Sequence, residues 1–143
     1  MSFSDGAFGG PLALVVDDDV EQAQVLSFLL SRLGFQVAIA HDGMSATMQA
    51  AKINPSVVLL DFEMPAGDGA AVYKRLRGLA QTQRTPVVFV SARKIADVSK
   101  GIPPGPTVRF LTKPARLEDI SKALSEIMPP DVWSAPPEQV PPP

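Results

Sequence analysis

The chain has no cysteine, which excludes disulfides, thiolate metal sites and cysteine nucleophiles and fits a reducing cytoplasm. No apolar run approaches the ~20 residues of a membrane span. The first basic residue is Arg32, so the basic amino-terminal region of a secretory leader is missing. Neither sign of charge dominates: 13 Lys+Arg stand against 15 Asp+Glu, a formal net charge of -2. No basic excess points to nucleic acid, and no acidic block points to disorder. The expectation is a cytoplasmic protein with neither a membrane nor a nucleic acid as partner.

What is present is one domain's worth of core: 143 residues, 45% of them hydrophobic. Four short apolar runs each end on a residue suited to phosphate or its metal. Leu12–Val16 leads into Asp17, Asp18 and Asp19. Val57–Leu60 leads into Asp61 and the segment Asp-Phe-Glu-Met-Pro-Ala-Gly-Asp-Gly. Val87–Val90 leads into Ser91, and Val108–Leu111 leads through Thr112 into Lys113-Pro114. If the runs are parallel strands, all four groups gather at the carboxyl edge of one sheet, where ligands bind in doubly wound folds.

Strand and helix patterns alternate throughout, which predicts an α/β fold, a parallel sheet with helices on both faces. Leu26, Leu29, Leu30 and Leu33 fall on one helical face, and Gly34 ends that helix at a left-handed position. Phe35–Ile39 reads as the second strand. A helix over 43–53 is capped by Asp42 and closed by Asn54-Pro55. Further helices are predicted over about 69–80, 94–101 and 116–128. Residues 1–10 form a flexible arm, 11–128 the domain, and 129–143 a tail holding seven of the chain's 15 prolines. Such a tail is expected to lie extended and to add little stability; if it is ordered, a groove for Trp133 or a neighbouring molecule should be the reason. No DNA-binding module fits within it.

Each feature has a bland explanation alone. Acids at a helix start cap free N–H groups, and Pro65, Gly67 and Gly69 mark a turn in any protein. Their joint order is more specific. Asp17, Asp18 and Asp61 on one strand edge repel, at about 4 kcal/mol for a pair 4 Å apart at an effective dielectric of 20. A magnesium ion removes that cost, and Lys113 supplies a fixed positive charge. A phosphoryl group on Asp61 would share its oxygens among metal, ammonium and the Ser91 hydroxyl.

These stretches resemble the receiver domain of two-component response regulators, over about residues 11–128. The resemblance rests on Val15-Val16-Asp17-Asp18-Asp19, Leu60-Asp61 with Met64-Pro65 and Gly67-Asp68-Gly69, Val90-Ser91-Ala92 and Leu111-Thr112-Lys113-Pro114. It implies a doubly wound, flavodoxin-like (βα)5 sheet of five parallel strands in the order 2-1-3-4-5. By position it implies Asp61 as phosphoacceptor, Asp18 as direct metal ligand and Asp17 as a ligand through water. Glu63 would lend the metal its backbone carbonyl. Ser91 and Phe110 would be the switch pair and Lys113 the phosphate-binding lysine, with Lys113–Pro114 cis. The implied cofactor is Mg2+. The implied partners are a sensor histidine kinase or histidine phosphotransfer protein and an unidentified downstream protein, the chain being a monomer or a phosphorylation-dependent dimer.

Movement of Ser91 toward a phosphorylated Asp61 would leave a void that Phe110 rotates inward to fill. Glu63 and Arg93 are expected to flank the site mouth and to pair across it or stay solvated. His41, the only histidine, reads as a solvated turn residue. Two other readings remain. Haloacid-dehalogenase-type phosphatases use similar groups, but their nucleophile strand comes first and they need a cap domain. A receiver-like scaffold that is never phosphorylated would have no use for intact Asp61, Lys113 and metal acids.

Overall fold

Continuous apolar strands, rather than alternating ones, are what a parallel sheet covered on both faces requires. The computed structural model, which describes residues 10–64, 69–103 and 105–137, has that arrangement. In chain order the elements are β1 (Leu12–Val16), α1 (Val20–Arg32), β2 (Gln36–Ala40), α2 (Gly43–Ile53) and β3 (Val57–Asp61). They continue as α3 (Gly69–Gly78), β4 (Val87–Ser91), α4 (Ile95–Val98), β5 (Val108–Thr112) and α5 (Leu117–Ile127). All strands pair in parallel, in the order β2-β1-β3-β4-β5. The expected arm at 1–9, Pro65, Gly67 and Asp68 of the turn after β3, and the tail from 138 onward lie outside the described residues.

Because side chains alternate along a strand, the sheet feeds two cores. Ala13, Val15, Val57, Leu59, Val88 and Val90 pack against α1 and α5. Leu14, Val16, Val58, Leu60, Val87 and Phe89 pack against α2 and α3. β1, β3 and β4 are buried along their full length, while the edge strands β2 and β5 are largely half-exposed. The strand order reverses between β1 and β3, and this opens a crevice above their carboxyl ends.

Local chemistry sets the helix ends. Asp19 caps α1, accepting from the Glu21 and Gln22 amides at 3.0 and 3.2 Å. Gly34 follows with φ of +97°, a turn that residues with a Cβ rarely adopt. Asp42 caps α2 through the Ser45 amide at 2.8 Å, and Asn54 closes it in the left-handed region.

Several expected boundaries move. β2 begins at Gln36 because the Phe35 amide still bonds the Leu30 carbonyl at the end of α1. α3 stops at Gly78 rather than about 80, and the Thr82 hydroxyl reaches back 2.6 Å to the Leu76 carbonyl. The helix expected over 94–101 is a single α-turn running into a 3-10 turn at Ser99–Gly101, with no side chain capping its start.

The tail departs most from expectation. Residues 129–133 are not extended: the Val132 and Trp133 amides both bond the Pro129 carbonyl in a turn. The Trp133 ring stacks on Phe35 with centroids 5.6 Å apart, and its indole N–H donates to the Leu33 carbonyl at 2.7 Å. That carbonyl lies past the last turn of α1 and has no partner within the helix. Trp133 thereby joins the core between α1 and α5.

Candidate functional site

The crevice above β1 and β3 is acidic. Asp17, one residue past β1, is fully buried, and its amide bonds the Ala40 carbonyl of β2 at 3.1 Å. One carboxylate oxygen accepts from the Asp19 amide at 2.9 Å; the other lies 3.3 Å from the Lys113 ammonium. Asp61 ends β3 and is also buried; it accepts from the Glu63 amide at 3.1 Å and lies 3.4 Å from Lys113. Behind it Gly69 packs so closely that a Cβ there would stand 2.7 Å from the Asp61 carbonyl oxygen.

Asp18 is exposed, yet it offers an oxygen to the same point as Asp17 and Asp61, all three within 4.8 Å of one another. Of the three consecutive acids, the third is the helix cap and the first two belong to the cluster. Lys113 follows β5, its amide bonding the Ser91 carbonyl at 2.8 Å across the strand pair, and the Lys113–Pro114 bond is cis.

The charges do not balance locally: three carboxylates face one ammonium. Burial, with Asp17 nearby, pushes the Asp61 carboxyl up to about 6 despite the opposing Glu63 amide and Lys113. Burial pulls the Lys113 ammonium down, but Asp61 and Asp17 outweigh it and hold its pKa above the ordinary lysine value. A hard divalent cation fits this set, since all the donors are oxygens and, among the described residues, Lys113 alone pairs with Asp17 and Asp61. Asp17, Asp18 and Asp61 are the side chains placed to hold it.

Ser91, at the end of β4, is buried, but its hydroxyl donates to the Glu63 carboxylate. That carboxylate also accepts from the Arg93 amide at 3.2 Å. The Ser91 hydroxyl, then the Arg93 amide and the Lys113 ammonium, outweigh burial and hold the Glu63 pKa below the usual carboxylate range. Glu63 thus engages Ser91 and the backbone that follows it; among the described residues it forms no ion pair with the Arg93 guanidinium. Sequence reading missed this contact, because a side chain two residues past a strand has no fixed direction.

Phe110 is half-buried and lies flat on Phe89, with centroids 5.4 Å apart. Phe89 in turn touches Phe62 and Tyr73. His41 is not merely solvated: its Nδ1 lies 3.0 Å from the Asp17 carbonyl, bracing the loop that carries the acids. The available signal was its position, next after β2 and beside the end of β1. No helix among the described residues is long and apolar enough to cross a membrane.

Comparison with known proteins agrees with this geometry. Residues 13–125 match the model of the response regulator receiver domain. The transcriptional regulatory protein TrcR of Mycobacterium tuberculosis is 32% identical over 85% of this chain and 47% of its own length. PhoB, the phosphate regulon transcriptional regulatory protein of Escherichia coli, is 31% identical over 80% of this chain and 50% of its own. The chain spans about half the length of these relatives. The chemotaxis protein CheY4 of Vibrio cholerae superposes with a TM-score of 0.74 at 26% identity, covering 83% of this chain and 99% of that one. A receiver domain from a Pseudomonas aeruginosa sensor histidine kinase, whose structure has magnesium coordinated in the active-site cleft, superposes equally well at 24% identity. It covers 82% of this chain and 97% of its own. Matched in sequence over nearly all of the sheet and in fold by solved receivers, the chain belongs to the response regulator receiver domain family.

Proposed function

We propose that the protein is a phosphorylation switch whose phosphoacceptor is Asp61. The observation carrying this reading is the placement of the Asp61 carboxylate, buried at the end of β3 between the acids of β1 and the Lys113 ammonium. A carboxylate oxygen of Asp61 attacks the phosphorus of a donor phosphohistidine. The P–N bond breaks with its electron pair left on the imidazole, and an acyl phosphate forms. Lys113 neutralises charge on the transferred oxygens, and burial keeps water from the new bond. Asp18 and Asp61, with Asp17 through water and the Glu63 carbonyl, would hold a magnesium ion, which when bound would supply the remaining charge compensation.

The phosphoryl group comes from a sensor kinase or a histidine phosphotransfer protein and the signal passes to a downstream protein. Relatives named as transcriptional regulators favour a transcriptional output for the whole protein. Inside the domain, Ser91 turning toward the phosphoryl group draws Phe110 inward from its place on Phe89.

Incubation with acetyl phosphate and magnesium tests the reading. A labile acyl phosphate is expected on the wild type and none on Asp61→Asn. Ser91→Ala is expected to take up phosphate yet lose most of the accompanying NMR shifts around Phe110. Equal labelling of Asp61→Asn and wild type rejects Asp61, and sustained turnover of many phosphate esters points instead to a phosphatase.

A further inference from the structure

The donors at the end of β4 form an anion site of their own. The Ser91 hydroxyl and the Arg93 amide converge on one point. What fills that point is the carboxylate of Glu63, a residue held in place by the hydrogen bond its backbone N–H donates to the Asp61 carboxylate.

We propose that Glu63 is an internal stand-in for the phosphoryl group, a latch on Ser91 that the phosphoryl group displaces as it loads Asp61; the proposal rests on the reading of Asp61 as phosphoacceptor. A hydroxyl has one proton to donate. While the Ser91 proton is given to Glu63, it is withheld from a phosphoryl oxygen on Asp61, so the two occupancies exclude each other. The Arg93 amide makes the latch specific: it donates to the Ser91 oxygen at 3.0 Å and to Glu63 at 3.2 Å, binding the three groups in one triangle. Phosphorylation replaces the single negative charge of Asp61 with nearly two beside Glu63 and drives its carboxylate out. Glu63 thereby sets how readily the site loads, as a competitor with no part in bond making.

The test compares wild type, Glu63→Ala and Glu63→Gln in two assays. One is the rate of labelling from acetyl phosphate with magnesium; the other is beryllofluoride affinity, read from its bound 19F signal. Hydrogen bonds to a charged acceptor correspond to about tenfold or more, so Glu63→Ala is expected to gain roughly that factor in both. Glu63→Gln keeps the shape and an acceptor oxygen and gains less. The same Glu63→Ala change is then made in a Ser91→Ala background. A latch acting through the hydroxyl predicts that the gain shrinks several-fold there. An undiminished gain assigns the effect to plain charge repulsion and overturns the latch, as does the absence of any gain while labelling still depends on Asp61. Labelling that survives Asp61→Asn fails the phosphoacceptor reading itself, and the latch with it.

Discussion

A buried carboxyl facing a second carboxylate resists ionisation, and Asp61 bears that cost in the folded state. Its pKa is pushed up to about 6, from a value near 3.9 in an unfolded chain. The folded state therefore binds the proton more tightly. Asp61 contributes stability below about pH 4, and this is lost as pH rises through about 6. In chelator, Asp61→Asn is expected to be more stable than wild type at pH 7 by on the order of 2 kcal/mol, converging with it below about pH 4. Urea unfolding across that range checks this; parallel profiles for the two proteins would rule it out. The identities of Asp17, Asp18, Asp61, Ser91 and Lys113 were legible because each lies at or just past the end of a strand, and strand ends follow from apolar runs. Directions of side chains were not. Glu63 turning to Ser91, and His41 to the Asp17 carbonyl, depend on loop geometry that periodicity does not encode.

Among the elements, α1 shows how three like residues divide between structure and chemistry. Asp19 holds two amides of the first turn, while Asp18 offers its carboxylate to the acidic cluster. Asp19→Ala is expected to cost about 1 kcal/mol and to leave the magnesium dependence of the melting temperature unchanged. Asp18→Asn is expected to do the opposite, with little loss in chelator and a weaker response to magnesium. Melting curves from chelator to tens of millimolar magnesium, for both variants, separate the roles; equal magnesium responses would remove Asp18 from the site. Helices with a side-chain cap and a clear stop, such as α2 between Asp42 and Asn54, were placed correctly from sequence. The helical span after β4 matches the expected 94–101 closely, but only Ile95–Val98 is α-helical; the change to a 3-10 turn at Ser99 is not encoded in periodicity, which a lone turn hardly shows.

For the molecule as a whole, the five-stranded order and its binding edge follow from strand and helix alternation, but the closing of the core does not. Proline content made the tail look unpackable, and a single aromatic residue reversed that outcome. Trp133 covers Phe35, bonds Leu33 and is only 6% exposed. Trp133→Ala is expected to cost about 3–5 kcal/mol, as for other large core deletions, without abolishing labelling of Asp61. A loss under about 1 kcal/mol in urea unfolding would show the contact to be incidental.

The same residue has an optical consequence. It is the chain's one indole, fixed between α1 and α5 near the amino-terminal edge of the sheet, whereas the acidic cluster lies at the carboxyl edge. Indole emission from this protein therefore watches a single place, and watches it from behind. It is expected to change when the chain opens and not when Asp61 is phosphorylated, so it follows folding without being confounded by signalling.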